Sequence, residues 1–393
     1  MDGVNWKKAI YQAIAVGIIL TGGFIFLLAG FVLTNHDNLG RLIRVVYLIE
    51  SQYLEDVPRV KLVDGAIEGM VQALDPYSSF QDAEENKALM NTIKGSFGGI
   101  GVHISTADPS QLVVLRPIKG SPAERAGLEA GDVILRIDGT DVSQISQDQA
   151  IAMLRGDPGT GVTVAIYRPR TGEELTFNLI RENINVPTVS AAPVPGRPDL
   201  AMIDISNFTL QTGDELERAF QELDIAKYKG FILDLRYNHG GEINAAVKVA
   251  SMLVPGEDIV HIVNKSGEVK TKKSTAKYVN KPFVLLINEY SASSSEIVAG
   301  AVKDYGSGTL VGTKSFGKGV VQTVFPLDGM TSVRLTTDKY LTPLKNDIHQ
   351  KGVEPDVYVE LKEGENPTIM PTEPKFDSQL AKAIEVLTQK IEQ

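Results

Sequence analysis

Apolar residues recur along this chain at several spacings, and each spacing predicts a different kind of element. The run from Ala9 to Asn35 carries no charged residue and is mostly apolar from Ile10 to Leu33. About 20 helical residues suffice to cross a bilayer, so a transmembrane helix is predicted over 9–35. Lys7 and Lys8 precede it, which by the positive-inside rule keeps 1–8 in the cytoplasm and places everything after Asn35 outside. A cleaved signal peptide would have a shorter apolar core, about 7–15 residues, and a small-x-small site; no such site follows this run. Leu39, Leu42, Ile43, Val46 and Tyr53 then fall at helical spacing. So do Val60, Val63, Ile67, Met70, Val71 and Leu74, until Asp75-Pro76 ends the run. A third, polar-rich helix is expected over 81–93. Amphipathic helices of this kind need an apolar partner, either their own core or a second subunit.

The pattern changes at Gly95. Over 95–181 short β-branched runs alternate with turn signals, among them Gly131-Asp132, Asp138-Gly139 and Asp157-Pro158-Gly159. Asp-Gly between alternating apolar residues predicts a hairpin. One helix interrupts, opened by Ser146 with Gln149 three residues later, a capping-box pattern, and ending near Arg155-Gly156. Pro187, Pro193, Pro195 and Pro198 read as a linker. Beyond it, strands predicted at 201–205, 230–235, 282–287, 309–312, 320–326 and 332–335 alternate with helices at 214–223, 243–253 and 294–305, the signature of a layered α/β domain. After a Pro-bearing stretch, a last helix carries Leu380, Ile384, Leu387 and Ile391 on one face. The expected architecture is multidomain α/β: a cytoplasmic tail 1–8, a membrane anchor 9–35, helices in 36–94, a mixed β-rich domain 95–181, an α/β domain 182–365, and a linker with a C-terminal helix over 366–393.

Composition narrows the chemistry. The 393 residues are 43% hydrophobic with a net charge of −10, which argues against a nucleic-acid surface. There is no cysteine, so disulfides, thiolate metal sites and a cysteine nucleophile are excluded. Candidate nucleophiles cluster at Ser291-Ala292-Ser293-Ser294-Ser295-Glu296, between an apolar strand and a helix. Serine at a strand-to-helix turn is exposed, and the helix N-terminus favours developing negative charge; serine there also serves as an ordinary helix cap. A serine nucleophile needs a base. Of the five histidines only His239 lies among suggestive residues, and no Gly-x-Ser-x-Gly elbow is present. Lysine serves as base when burial makes its neutral amine available, and Lys318 sits between two glycines with apolar residues nearby. Ser315 and Lys318 form a Ser-x-x-Lys pair, but Gly317 and Gly319 argue against the helix such a pair requires. Gly312-Thr313-Lys314-Ser315 lacks the Gly-Lys step of a phosphate loop.

Two resemblances add to this reading. The stretch from Gly120 to Ile134, with Ile137-Asp138-Gly139 after it, resembles the core signature of PDZ domains in bacterial proteases. A carboxylate-binding loop at Gly99-Ile100-Gly101-Val102 is then expected. A side-chain pocket between Val102 and Ile104 on one side and Met153 and Leu154 on the other implies a preference for apolar C-termini. Arg155, at the helix end, is placed to link peptide occupancy to the next domain. The blocks Tyr290–Ile297 and Gly312–Gln322, with Asp234-Leu235-Arg236-Tyr237-Asn238-His239-Gly240-Gly241 and Lys351-Gly352-Val353-Glu354-Pro355-Asp356, resemble the carboxyl-terminal processing proteases. Together the two resemblances cover nearly everything after the anchor. That family implies a crotonase-like catalytic domain, Ser293 as nucleophile, Lys318 as base and Gln322 orienting the base. Ser294, where the family often has alanine, and Gly240 or Gly241 would supply oxyanion N–H groups. It also implies acyl-enzyme cleavage of protein substrates without metal or cofactor. A membrane-anchored endopeptidase, possessing helices suited to a homodimer, is the resulting expectation. A PDZ-bearing adaptor with an inactive protease domain would lack the serine, lysine or glutamine, and all three are present. A cell-wall acyl enzyme would need a Lys-Thr-Gly that is absent.

Overall fold

The computed structural model describes residues 38–105, 111–367 and 373–393. The expected membrane helix over 9–35 lies outside them, and among the described residues no helix is long and apolar enough to cross a membrane. The chain divides into two units, one up to Phe80 and one from Gln81 onward. In the first, residues 38–52 are helical and a second helix spans Arg59–Gln72. Both keep apolar side chains exposed, including Ile43, Tyr47, Val60 and Met70.

The second unit opens with the helix Ala83–Lys94, capped by an Asp82–Glu85 capping box and stopped by left-handed Gly95. A five-strand antiparallel path follows, running Val102–Ser105, Leu112–Pro117, Val133–Ile137, Gly161–Arg168 and Glu173–Ile180. Asp138 and Gly139 both have positive φ, 48° and 81°, as the two-residue turn to Thr140–Asp141 requires. The helix Gln147–Leu154 carries the expected Ser146–Gln149 capping box. Ile100, Val114, Ile134, Ile137, Val164 and Leu154 fill the core of this β-rich part.

A six-stranded sheet forms the second half. Its order is Val189–Val194, Arg197–Ile205, Gly230–Asp234, Phe283–Ile287, Thr309–Gly312 and Val357–Tyr358. The first pair is antiparallel and the rest are parallel. Strand side chains alternate between faces, and the sequence uses that alternation to build two cores. Ile203, Phe231, Leu233 and Leu285 pack with the helices Thr212–Glu222, Ile243–Leu253 and Ser294–Tyr305. Met202, Ile232, Val284 and Leu286 pack with Leu380, Ala383 and Leu387 of the helix Ser378–Glu392. The expected linker at 187–198 is corrected: Val189–Val194 is an edge strand, and its bulge falls at Pro193/Val194, where a missing N–H is tolerated. An antiparallel sheet completes the unit. Ser332–Leu341, longer than the expected 332–335, pairs with Val320–Pro326 and with Asp258–Asn264, which in turn pairs with Val269–Lys273.

Candidate active site

Two loops leave the C-terminal ends of adjacent parallel strands, where open α/β sheets place their sites. One follows Gly230–Asp234 and runs through Tyr237 to Gly241; the other joins Phe283–Ile287 to the helix Ser294–Tyr305. Side-chain hydrogen bonds lock them together. Asn288 Oδ1 accepts from the Tyr237 N–H at 3.0 Å. Ser291 Oγ donates to Leu235 O at 2.8 Å, Ser295 Oγ to Asn238 O at 2.8 Å, and Ser294 Oγ to Gly241 O at 2.9 Å. Three of the four clustered serines are thus buried and committed to holding one loop against the other. Ser293 differs. It alone in 291–302 is not buried, and it has φ +56°, a left-handed value that costs a non-glycine residue about 1–3 kcal/mol and persists only when neighbours impose it.

The imposing neighbours are backbone and carboxylate. A Cβ on Gly240, at φ +97°, would lie 2.6 Å from Ala292 O and 2.7 Å from Ser293 Cβ, so only glycine permits this approach. Glu296, fully buried, accepts from the N–H of Ser293 at 2.8 Å. It also accepts from Ser315 Oγ at 2.6 Å, from Gly317 N–H at 2.6 Å and from Lys318 N–H at 2.8 Å. All four neighbours donate, since Ser315 Oγ itself accepts from the Val353 N–H; the arrangement requires a carboxylate. Burial pushes the Glu296 carboxyl above its usual range, against the pull of these donors. On the far side, the Tyr340 hydroxyl lies 2.9 Å from Ser293 O and 2.5 Å from Lys318 O. Ser293 and the Lys318 loop are therefore clasped from two directions.

Ser293, Lys318, Gln322, Gly240 and Gly241 line one cleft of about 570 Å³. Lys318 lies in a non-helical loop; Gly317 has φ +92°, and a Cβ there would meet Gly352 N at 3.0 Å. Ser315 and Lys318 accordingly do not share a helical face. Gln322 Nε2 donates to Thr336 Oγ1 at 3.4 Å. Ser294 is buried beneath, its N–H 2.8 Å from the place a Gly240 Cβ would occupy. The Gly240 N–H donates to Asn238 Oδ1 at 2.9 Å.

The residues expected to read a peptide tail sit in the β-rich part. Ile100 and Leu154 are in its core, with Val102, Ile104 and Met153 packed against it. Gly101 has φ +79° and its carbonyl accepts from Ile118 N–H and Ser121 Oγ, both at 2.9 Å. Gly99 bridges to Arg155, whose guanidinium lies 4.9 Å over the Phe97 ring. Three further residues of the cleft region went unassigned by sequence reasoning: Glu296, Tyr340 and Arg334. A glutamate three positions after a helix-opening serine is a capping-box signal and could have marked Glu296. The other two are distant in sequence and carry no local signal.

Comparison with known proteins agrees with this geometry. Residues 199–359 match the family described as peptidase family S41, residues 113–168 match a PDZ domain, and residues 32–85 match the N-terminal domain of the activating protease CtpB. The chain is 35% identical over 352 residues to the carboxy-terminal processing protease CtpA of Bacillus subtilis, covering 89% of this chain and 75% of that one. It is 35% identical over 365 residues to the carboxy-terminal-processing protease of Bartonella bacilliformis, covering 90% and 83%. A putative S41 protease from Bacteroides fragilis shares the fold, with a TM-score of 0.52 at 17% identity over 87% of this chain and 96% of that one.

Proposed function

The chain belongs to peptidase family S41 as a carboxy-terminal processing serine protease, and from that premise we propose that Ser293 is its nucleophile and Lys318 its general base. The carrying observation is that Ser293 is the one clustered serine left out of the loop-locking bonds, and it opens on the cleft that Lys318 also lines. Lys318 takes the Ser293 proton as Oγ attacks the scissile carbonyl, then gives that proton to the leaving amine. Water hydrolyses the acyl-enzyme, again with Lys318 as base. Gln322, four residues beyond Lys318 and on the same cleft, orients the amine. The Gly240 N–H is engaged by Asn238, so Gly241 and Ser294 are the favoured N–H donors to the oxyanion.

In the same reading, residues 9–35 anchor the chain in the membrane with the catalytic part outside the cytoplasm. Its domains follow the boundaries given by the sequence: helices in 36–94, the PDZ domain 95–181, the catalytic domain 182–365, and a closing linker and helix in 366–393. The PDZ domain takes substrate C-termini, with an apolar last residue between Val102 and Ile104 on one side and Met153 and Leu154 on the other. The exposed apolar faces of 38–52 and Arg59–Gln72 support a homodimer, because apolar patches of that kind commonly mark interfaces. The test is cleavage of an unfolded protein with an apolar tail by the full chain, Ser293→Ala and Lys318→Ala. Both variants are expected to remain folded and to cleave nothing above background. Wild-type-like cleavage by either one refutes the pair.

A further inference from the structure

Arg334 stands on the strand Ser332–Leu341 and lines the same cleft as Ser293 and Lys318. Its register partner is Val324, while Gln322 is paired with Thr336. Residues two apart on a strand share a face, so Arg334 lies on the face of Thr336, whose hydroxyl accepts from Gln322. The offset along the strand is roughly 7 Å, at about 3.4 Å per residue. Arg334 is thus one step along the cleft floor from Gln322.

One donor of the guanidinium has no partner among the described residues. Arg334 Nε is buried without a hydrogen-bond partner. Among other partly or fully buried arginines, Arg168 pairs with Asp132 and Arg236 with Asp234 and Asp377; Arg181 also leaves its Nε without a partner, but its two other nitrogens donate to Thr160, Gly161 and Met153. Among the described residues no carboxylate pairs with Arg334. The charge balance of the cleft points the same way. Beside Lys318, whose amine is neutral in its role as base, the lining includes the cations Lys272 and Arg334 but a single carboxylate, Glu242, and Glu242 is occupied in accepting from Ala245 N–H and Asn244 Nδ2 at the start of its helix. An excess of positive charge in the cleft of a chain whose net charge is −10 is a local arrangement for an anion. A planar guanidinium, with its fork of donors, suits a carboxylate.

We propose that Arg334 is a specificity-determining residue that binds a carboxylate of the substrate, either an Asp or Glu side chain near the scissile bond or the terminal carboxylate of the tail. This rests on the Ser293–Lys318 reading, which places the substrate in that cleft. Losing one charge-assisted contact of this kind weakens a complex roughly tenfold to a hundredfold.

The experiment uses the full chain and a peptide series with an apolar C-terminus. One arm moves a single Glu, or Gln as its control, along the positions flanking the scissile bond. The other compares the free C-terminal acid with the amide. The readout is kcat/KM for wild type, Arg334→Gln and Arg334→Lys. Wild type is expected to prefer Glu over Gln at one position, or acid over amide, by about tenfold or more. Arg334→Gln should abolish that preference while cleaving the Gln or amide peptide as wild type does, and Arg334→Lys should restore part of it. Loss in the Glu arm identifies a side chain as the source; loss in the acid arm identifies the terminus. An acid preference that survives Arg334→Gln belongs to the PDZ domain and overturns the terminal-carboxylate source. Equal losses on every peptide show a packing role and overturn the proposal, as does wild-type cleavage that ignores charge at every position. Ser293→Ala and Lys318→Ala are run on the same peptides: wild-type-like cleavage by either overturns the Ser293–Lys318 reading, an outcome distinct from loss of the charge preference.

Discussion

Replacing Glu296 with glutamine changes one atom and hardly any volume, yet the structure makes it a severe substitution. The carboxylate receives four donors, two on each oxygen: Ser315 Oγ and Gly317 N–H on one, Ser293 and Lys318 N–H on the other. An amide offers one accepting oxygen, so whichever way it is turned its NH2 group meets two donors head-on. Two hydrogen bonds to a charged acceptor are lost, each worth about 1.5–3 kcal/mol, for a total loss of roughly 3–6 kcal/mol. The backbone of Ser293 and that of Lys318 lose a common support at the same time, and a displacement near 1 Å of reacting groups costs on the order of a hundredfold in rate. Equilibrium urea unfolding measures the first effect. Active-site titration followed by single-turnover cleavage measures the second on the folded fraction alone. If Glu296→Gln unfolds within 1 kcal/mol of wild type, or its folded fraction turns over within about threefold of it, the clasp has been misread.

Two other predictions probe different parts of the unit. Tyr340→Phe removes the hydroxyl between Ser293 O and Lys318 O; it should lower kcat about tenfold or more with KM nearly unchanged, and lower stability by about 1–3 kcal/mol, read by steady-state kinetics and denaturation. Asp204, in register with Asp234 on the next strand, has its carboxyl pushed up to about 7 by burial and by the Asp234 charge, against the pull of Arg236. A raised carboxyl favours folding below the unfolded value near 3.8 and loses that advantage as pH rises through about 7. Asp204→Asn should therefore be more stable than wild type at pH 8 to 9 by up to about 4 kcal/mol, with the gap closing by pH 4. Denaturation curves at both ends of that range check the sign, and a gain that is larger at low pH contradicts it.

Where elements were legible, apolar periodicity was dense and the ends were marked. The helices Ile243–Leu253 and Ser294–Tyr305 and the strands Thr309–Gly312 and Val320–Pro326 have the predicted limits. Asp258–Asn264 and Val269–Lys273 were not anticipated. The second is rich in lysine, since one side of that sheet edge faces water, and its hydrophobic alternation is correspondingly weak. Prolines at 193 and 195 concealed Val189–Val194, because a residue that cannot donate still fits an edge strand at a bulge. At the site, neighbouring residues in sequence exposed the serine run and the lysine loop. The motif resemblance singled out Ser293 in the sequence; the physical difference from Ser291, Ser294 and Ser295, whose partners are Leu235, Gly241 and Asn238, lies in residues more than 50 positions away. Tyr340 and Arg334 reach the cleft only through the pairing of strands, which no local pattern encodes.

Arg236, just beyond the strand Gly230–Asp234, pairs with Asp234 and also with Asp377 at 2.7 Å, and Gln379 accepts from it at 3.0 Å. Asp377 in turn caps the helix Ser378–Glu392. A chain synthesised from its N-terminus therefore carries Arg236 without its second carboxylate until residue 377 has been added. During that interval Asp234 alone pairs with the guanidinium, and the Arg236 donors that Asp377 and Gln379 will receive have no protein acceptor there. The last helix is thus more than a cover for one face of the sheet: through Arg236 it ties the start of the loop from Tyr237 to Gly241 to a segment 141 positions further along the chain.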